Sequence, residues 1–226
     1  MKENIRAERQ KIAEIDGRKK KLAYIWDYYK LWIIGIVAAV IFIIFCIQRF
    51  FFSVTNNWFY IMFANTQVDI GNGSELWDGY IEYTGYDTKE KNVEFNNTSY
   101  FDYQNGVTGN TYFESFVAYT EVGTLDAITM ESDSLIALGE SGRLVDLDSE
   151  EYAAIKEKYG DRFLYCEPFD EEYSDEPVAI GIDISDSILM TKYNIYPDSC
   201  ALGIGANSEH IEAVEAFLDY IFTEEE

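Results

Sequence analysis

Imidazole is the side chain best placed to move protons near neutral pH, and this sequence holds one, His210. It lies in SEHIEAVEAF, whose spacing predicts the opening turn of a helix with the ring on a solvated face. A Ser-His-Asp or Cys-His arrangement has to be built on that single residue, and no nucleophile signature accompanies it. Zinc is no better served, because Cys166, Cys200 and His210 lack ligand spacing. Carboxylates are abundant: Asp170–Glu172 and Asp183–Asp186 are close enough in sequence to suggest paired acids or calcium ligands. DTKEKN, Asp87–Asn92, has a loose calcium-loop spacing, but lysines stand where oxygen ligands belong. With 36 acids after residue 47, chance accounts for such pairs. The sequence therefore predicts no enzyme, no metal and no cofactor. Asn72, Asn96 and Asn97 each open an N-x-Ser/Thr glycosylation pattern.

The charge is divided between two regions. Residues 1–30 carry nine Lys/Arg against five Asp/Glu, and residues 48–226 carry eight against 36. So acidic a region repels a phosphate backbone, which excludes nucleic acid as a partner. Its 18 Tyr and 15 Phe, counted over the whole chain, argue for a folded domain over an acidic disordered one.

Between these regions lies LWIIGIVAAVIFIIFCI, Leu31–Ile47, without a charge and prolonged by Phe50–Val54. A helix needs about 20 such residues to cross a bilayer core, and Tyr28, Tyr29 and Trp32 stand where aromatic rings favour the interface. Residues 11–30 hold Lys11, Arg18, Lys19, Lys20, Lys21 and Lys30 and residues 48–68 hold only Arg49, so the amino end is predicted to be cytoplasmic. No small-x-small site follows, which favours an uncleaved anchor over a signal peptide. The predicted organisation is a basic cytoplasmic tail (1–30), broken at Gly17 after a short amphipathic helix, a transmembrane helix (31–54) and an extracytoplasmic domain (55–226).

Within the domain, Trp58–Ala64 reads as a buried strand and Ser74–Gly85 as a helix capped by Ser74. Asn92–Tyr103 alternates like a strand, and Gly109–Gly123 returns to helical spacing. LDAITM, RFLYCEP, PVAIGIDI and CALGIG are further strands, interleaved with helices at SDSLIALGES, EEYAAIKEKYG, SILMTKY and the closing SEHIEAVEAFLDYIF. Such interleaving predicts an α/β fold with a largely parallel sheet. Cys166 and Cys200 fall on neighbouring predicted strands, leaving both a disulfide and two buried thiols open.

Two stretches then resemble one family. GTLDAITMESDSLIALGESGRLVDLD, Gly123–Asp148, has a G-x-x-D turn into a buried strand and, after a helix, G-x-L-x-D-L. CALGIGANSEHIEAVEAFLDYIF has an Asn-Ser pair before a helix ending in Phe-Leu-Asp-Tyr. Both resemble the sugar-type extracytoplasmic solute-binding proteins of bacterial ABC transporters. The resemblance implies a compact, shortened periplasmic-binding-protein-like (type II) α/β domain, in which Gly142 supports a turn, Asp126 sits where a turn enters a strand, and Asn207 or Ser208 caps the last helix.

Ligands of open α/β sheets gather beyond the carboxyl ends of the strands. That predicts a crevice at Asn65 and Thr66, at Glu131, Ser132 and Asp133, and at Ser185 and Asp186, with tyrosines as stacking faces. Two functions follow from different classes. One is capture or sensing of a small solute, such as a saccharide, for a membrane transporter or receptor. The other is an adaptor that has lost its pocket and contacts another envelope protein.

Overall fold

A computed structural model describes residues 17–51, 56–168 and 176–223. The chain divides into two compact units, Met1–Ser53 and Val54–Glu226. The first holds helix α1, Arg18–Phe51, of 34 residues, or about 51 Å at 1.5 Å per residue. It starts directly after Gly17, whose φ of 95° few residues other than glycine adopt. The basic run from Arg18 thus belongs to the same helix as the apolar run. The amphipathic helix predicted before Gly17 lies outside the described residues. Among the described residues no helix is long and apolar enough to cross a membrane; along α1 the side chains are described without a break only from Tyr29 to Ile44.

In the second unit the elements follow one another as β1 (Asn57–Phe63), α2 (Glu75–Thr84), β2 (Asn92–Asn96), α3 (Thr111–Glu121), β3 (Ala127–Met130), α4 (Ser132–Gly139), α5 (Ala153–Tyr159), β4 (Phe163–Cys166), β5 (Val178–Asp183), α6 (Ile188–Thr191), β6 (Ala201–Ile204) and α7 (Ile211–Ile221). They form a mixed α/β domain around one six-stranded sheet of order β2-β1-β3-β6-β5-β4. β1 pairs parallel with β2 and with β3, whereas β3–β6, β5–β6 and β4–β5 are antiparallel. The expectation of a largely parallel sheet is thereby corrected. A parallel neighbour needs a crossover of a dozen or more residues, usually helical. The connection from Cys166 to Val178 is too short for one, and β6 enters between β3 and β5 against both.

β1 shows why the central strands read as unbroken apolar runs. Phe59, Ile61 and Phe63 pack on one face with Leu76 and Tyr80 of α2 and Phe217 of α7. Tyr60, Met62 and Ala64 pack on the other with Phe116 of α3 and Leu135 of α4. Both faces are covered, so the polar alternation of a half-exposed strand is lost. β2, at the sheet edge, keeps it over Asn92–Asn96; the predicted continuation to Tyr103 is irregular chain. The G-x-L-x-D-L part of Gly123–Asp148 contributes one isolated bridge, Leu144 to Gly205.

α2 shows local encoding. The Ser74 hydroxyl accepts the Trp77 N–H at 3.2 Å, and Gly85 ends the helix at φ 70°. We expect Ser74→Ala to cost about 1 kcal/mol, measured by urea unfolding of the full chain against wild type.

The two cysteines are separate buried thiols. Cys166 packs with the α4 face of the sheet and Cys200 with the opposite face. β5 also lies between β4 and β6 in the sheet, so the two predicted neighbours do not pair. Burial pushes both thiols above their ordinary pKa, which suppresses the reactive thiolate.

Candidate functional site

β5 is antiparallel to β6, which is antiparallel to β3, so β1, β3 and β5 end at one edge of the sheet. The seven residues singled out from the sequence gather along that edge. Asn65, Thr66, Ser185 and Asp186 are engaged through their side chains by the protein's own chain. Asn65, at φ 65°, accepts the Phe101 N–H and donates to the Phe101 carbonyl, both at 2.9 Å. Thr66 is buried; its hydroxyl donates to the Ile195 carbonyl at 2.9 Å, and its carbonyl accepts the Tyr100 hydroxyl. Glu131 stands at the N-cap of α4 with no side-chain capping bond, the Ser132 N–H donates to Ser199 Oγ at 3.1 Å, and Asp133 is exposed. The Ser185 hydroxyl donates to Asp183 at 2.6 Å and accepts the Cys200 N–H at 3.0 Å. Asp186 forms a forked pair with Arg162 at 2.5 and 2.8 Å. The Arg162 guanidinium holds the Asp186 carboxyl below the usual carboxylate range.

The edge is closed by the segment between α6 and β6. Ile195 and Tyr196 join the core on the α2–α7 face of the sheet. Tyr196 is 2% exposed, and its hydroxyl lies 2.9 Å from the Ala64 carbonyl, 2.7 Å from the Thr129 carbonyl and 3.1 Å from Thr129 Oγ1. Its proton serves the carbonyls while its oxygen accepts Thr129 Oγ1–H, so the polar ends of β1 and β3 are satisfied without solvent or ligand. Burial holds the phenol well above its ordinary pKa and keeps it a neutral donor. A tyrosine expected to line a crevice instead fills it. No pattern in YNIYPDS, Tyr193–Ser199, distinguishes such a plug from a surface loop.

At the opposite end of β3 the two family-like stretches meet. Asp126 is fully buried and accepts the Tyr60 N–H at 2.8 Å and the Ser208 hydroxyl at 2.7 Å, with His210 Nδ1 at 3.1 Å. β3 thus separates Asp126 from Glu131 and Asp133, which look crowded together in sequence. The fit is backbone against backbone. A Cβ on Gly205 would stand 2.4 Å from the Leu125 carbonyl oxygen, and one on Gly123 would stand 2.6 Å from that of Asn207. Burial raises the Asp126 pKa against the opposing pull of its donors. Neither Asn207 nor Ser208 is the N-cap of α7; that position is His210. Asn207 instead donates its amide to the Thr120 carbonyl at 3.1 Å. The imidazole, predicted to lie on a solvated face, is one-third exposed and tied to a buried carboxylate. The sequence gives no signal for this contact, which spans 84 positions.

Asp87 accepts the Lys89 N–H in a local turn, and no group of three metal-ligating side chains occurs among the described residues. Asp170 and Glu172 lie outside them. The side-chain amides of Asn72, Asn96 and Asn97 donate to Glu94, Tyr60 and the Val68 carbonyl, so the three glycosylation patterns fall on engaged nitrogens. No protein-family model, curated protein or solved structure matches this chain.

Proposed function

We propose that this protein is a membrane-anchored extracytoplasmic interaction domain, related in design to a solute-binding lobe whose crevice has been closed, and that it acts on another envelope protein. The observation carrying this reading is Tyr196, buried against Ala64 and Thr129 where a solute would otherwise sit. The α3 surface supports it. Tyr112, Tyr119 and Val122, spaced seven and then three positions along that helix and its end, are 44%, 37% and 73% exposed, and Tyr100 packs edge-on to Tyr112. Exposed apolar patches mark contact sites more often than solitary side chains do. The anchor rests on the uncharged run in α1, where Leu31, Trp32, Ile36 and Phe42 are all more than 60% exposed, as lipid-facing side chains are.

The test is photo-crosslinking in membranes from position 112 or 119 of the full chain. We expect one discrete adduct from each position and none from an acidic surface position such as Glu157. A neutral saccharide or amino acid that raises the melting temperature of the purified chain in a saturable way would overturn the closed-crevice reading. Topology is checked separately: a reporter fused after Glu226 should be active only when it folds outside the cytoplasm.

A further inference from the structure

The domain from residue 56 onward has only seven Lys/Arg. Three of them, Lys158, Arg162 and Lys192, line one groove of about 1030 Å³ beside α5, α6 and the end of α7. Two acids, Asp186 and Asp219, share the lining, with Tyr159 and Phe222 as its aromatic members. Glu75 also pairs with Lys192 beside the groove, so three cations meet three carboxylates and the groove is locally neutral on a domain with a large negative charge. The other described cavities carry Asp146 with Glu151, or Lys91 opposed by Glu209, and none has an excess of cations.

Packing holds these cations in place. The Arg162 guanidinium lies 4.8 Å over the Phe222 ring, which stacks on Tyr159 at 5.7 Å. Arg162 spends two of its five N–H donors on Asp186. Lys158 pairs with Asp219, and Lys192 with Glu75 at 3.0 Å. Two of the carboxylates are surface groups, Asp186 at 61% and Glu75 at 73% exposed along the side chain, whereas Asp219 is 36% exposed and also accepts the Tyr159 hydroxyl. Exposed pairs of this kind contribute little, so an incoming anion replaces them at small cost. Salt screens remote acids beyond about 8 Å at physiological ionic strength, which leaves the three cations and their own partners to set the local field.

We propose that this groove binds a small solute carrying two or more closely spaced anionic oxygens, as carboxylates or as phosphates, held by Arg162 and the two lysines. This goes beyond the interaction reading and does not depend on it. Asp186 is the one residue of the predicted crevice that lines an open cavity, so the site stands just outside the closed strand ends.

Thermal unfolding of the full chain in neutral detergent at fixed ionic strength tests it, with citrate and inorganic tripolyphosphate as separate probes. A saturable rise with either one supports the site, and which of them acts identifies the anion class. Arg162→Gln and Lys192→Gln should each weaken the apparent Kd by about tenfold, the loss of one charge-assisted contact. The unliganded melting temperature reports that the variants fold. Asp186→Asn removes the internal competitor and should tighten binding. Arg143→Gln, a cation elsewhere paired with Glu121, should leave it unchanged. The proposal is overturned by no response to either probe, by an equal response to sodium chloride, or by equal weakening in Arg143→Gln.

Discussion

Asp126→Ala should lower the stability of the outer domain by about 3 kcal/mol, among the largest effects of any single polar substitution in the chain. The carboxylate is the shared acceptor for three groups brought from separate places: the Tyr60 N–H of β1, the Ser208 hydroxyl and the His210 ring. Alanine leaves the Tyr60 N–H buried without a partner and releases the junction beneath α7. Asp126→Asn should cost much less, since its oxygen still accepts from Tyr60 and the Ser208 hydroxyl can rotate to receive the amide. The pH dependence separates the two. Burial raises the carboxyl above its ordinary value, so its contribution is greatest below about pH 3.9, the unfolded value, and is lost as pH rises through the folded one. The stability of wild type relative to Asp126→Asn should therefore fall over that interval. A difference flat with pH, or an Ala variant as stable as wild type in urea, contradicts the assignment.

Tyr196→Ala should cost about 4 kcal/mol, in the range for emptying a buried aromatic site. Tyr196→Phe, which keeps the ring and loses the hydroxyl's bonds to Ala64 and Thr129, should cost about 1–2 kcal/mol. The Ala variant also reopens the strand-end space. Phenol matches the lost side chain in shape and in its donor, so it should raise the melting temperature of Tyr196→Ala and leave wild type unmoved. Failure of phenol to stabilise the variant would mean that the space collapses instead of opening, and that Tyr196 does not stand in for a ligand.

Elements governed by neighbours in the chain were legible in the sequence. The Ser74 cap, the Gly85 stop and the apolar runs of β1, β3, β5 and β6 are written within a few residues of where they act. Strand direction was not, because the pattern of a buried strand is the same whichever way its neighbour runs; only the short link from Cys166 to Val178 hints at the antiparallel half. The strand-end residues were found because sheet geometry alone sends them to one edge. The closure over Asn65 and Thr66 depends on the segment of Ile195 and Tyr196, a stretch with no periodicity to read. His210 was misplaced for a related reason. Helical spacing predicts which side of α7 is wet, but His210 sits at the cap, where the turn before the helix sets the direction of the ring.

The placement of β6 bears on how the domain comes to be folded. β2, β1 and β3 form one half of the sheet and β5 and β4 the other, and among the described residues the strand that joins them is the four-residue β6 near the carboxyl end of the chain. Neither half completes its pairing until Ala201–Ile204 is available, so contacts between distant segments are concentrated in the last step of assembly. Such long-range closure is slow. A chain halted before Cys200 presents two unpaired inner strand edges, and those are the edges along which strands from separate molecules join.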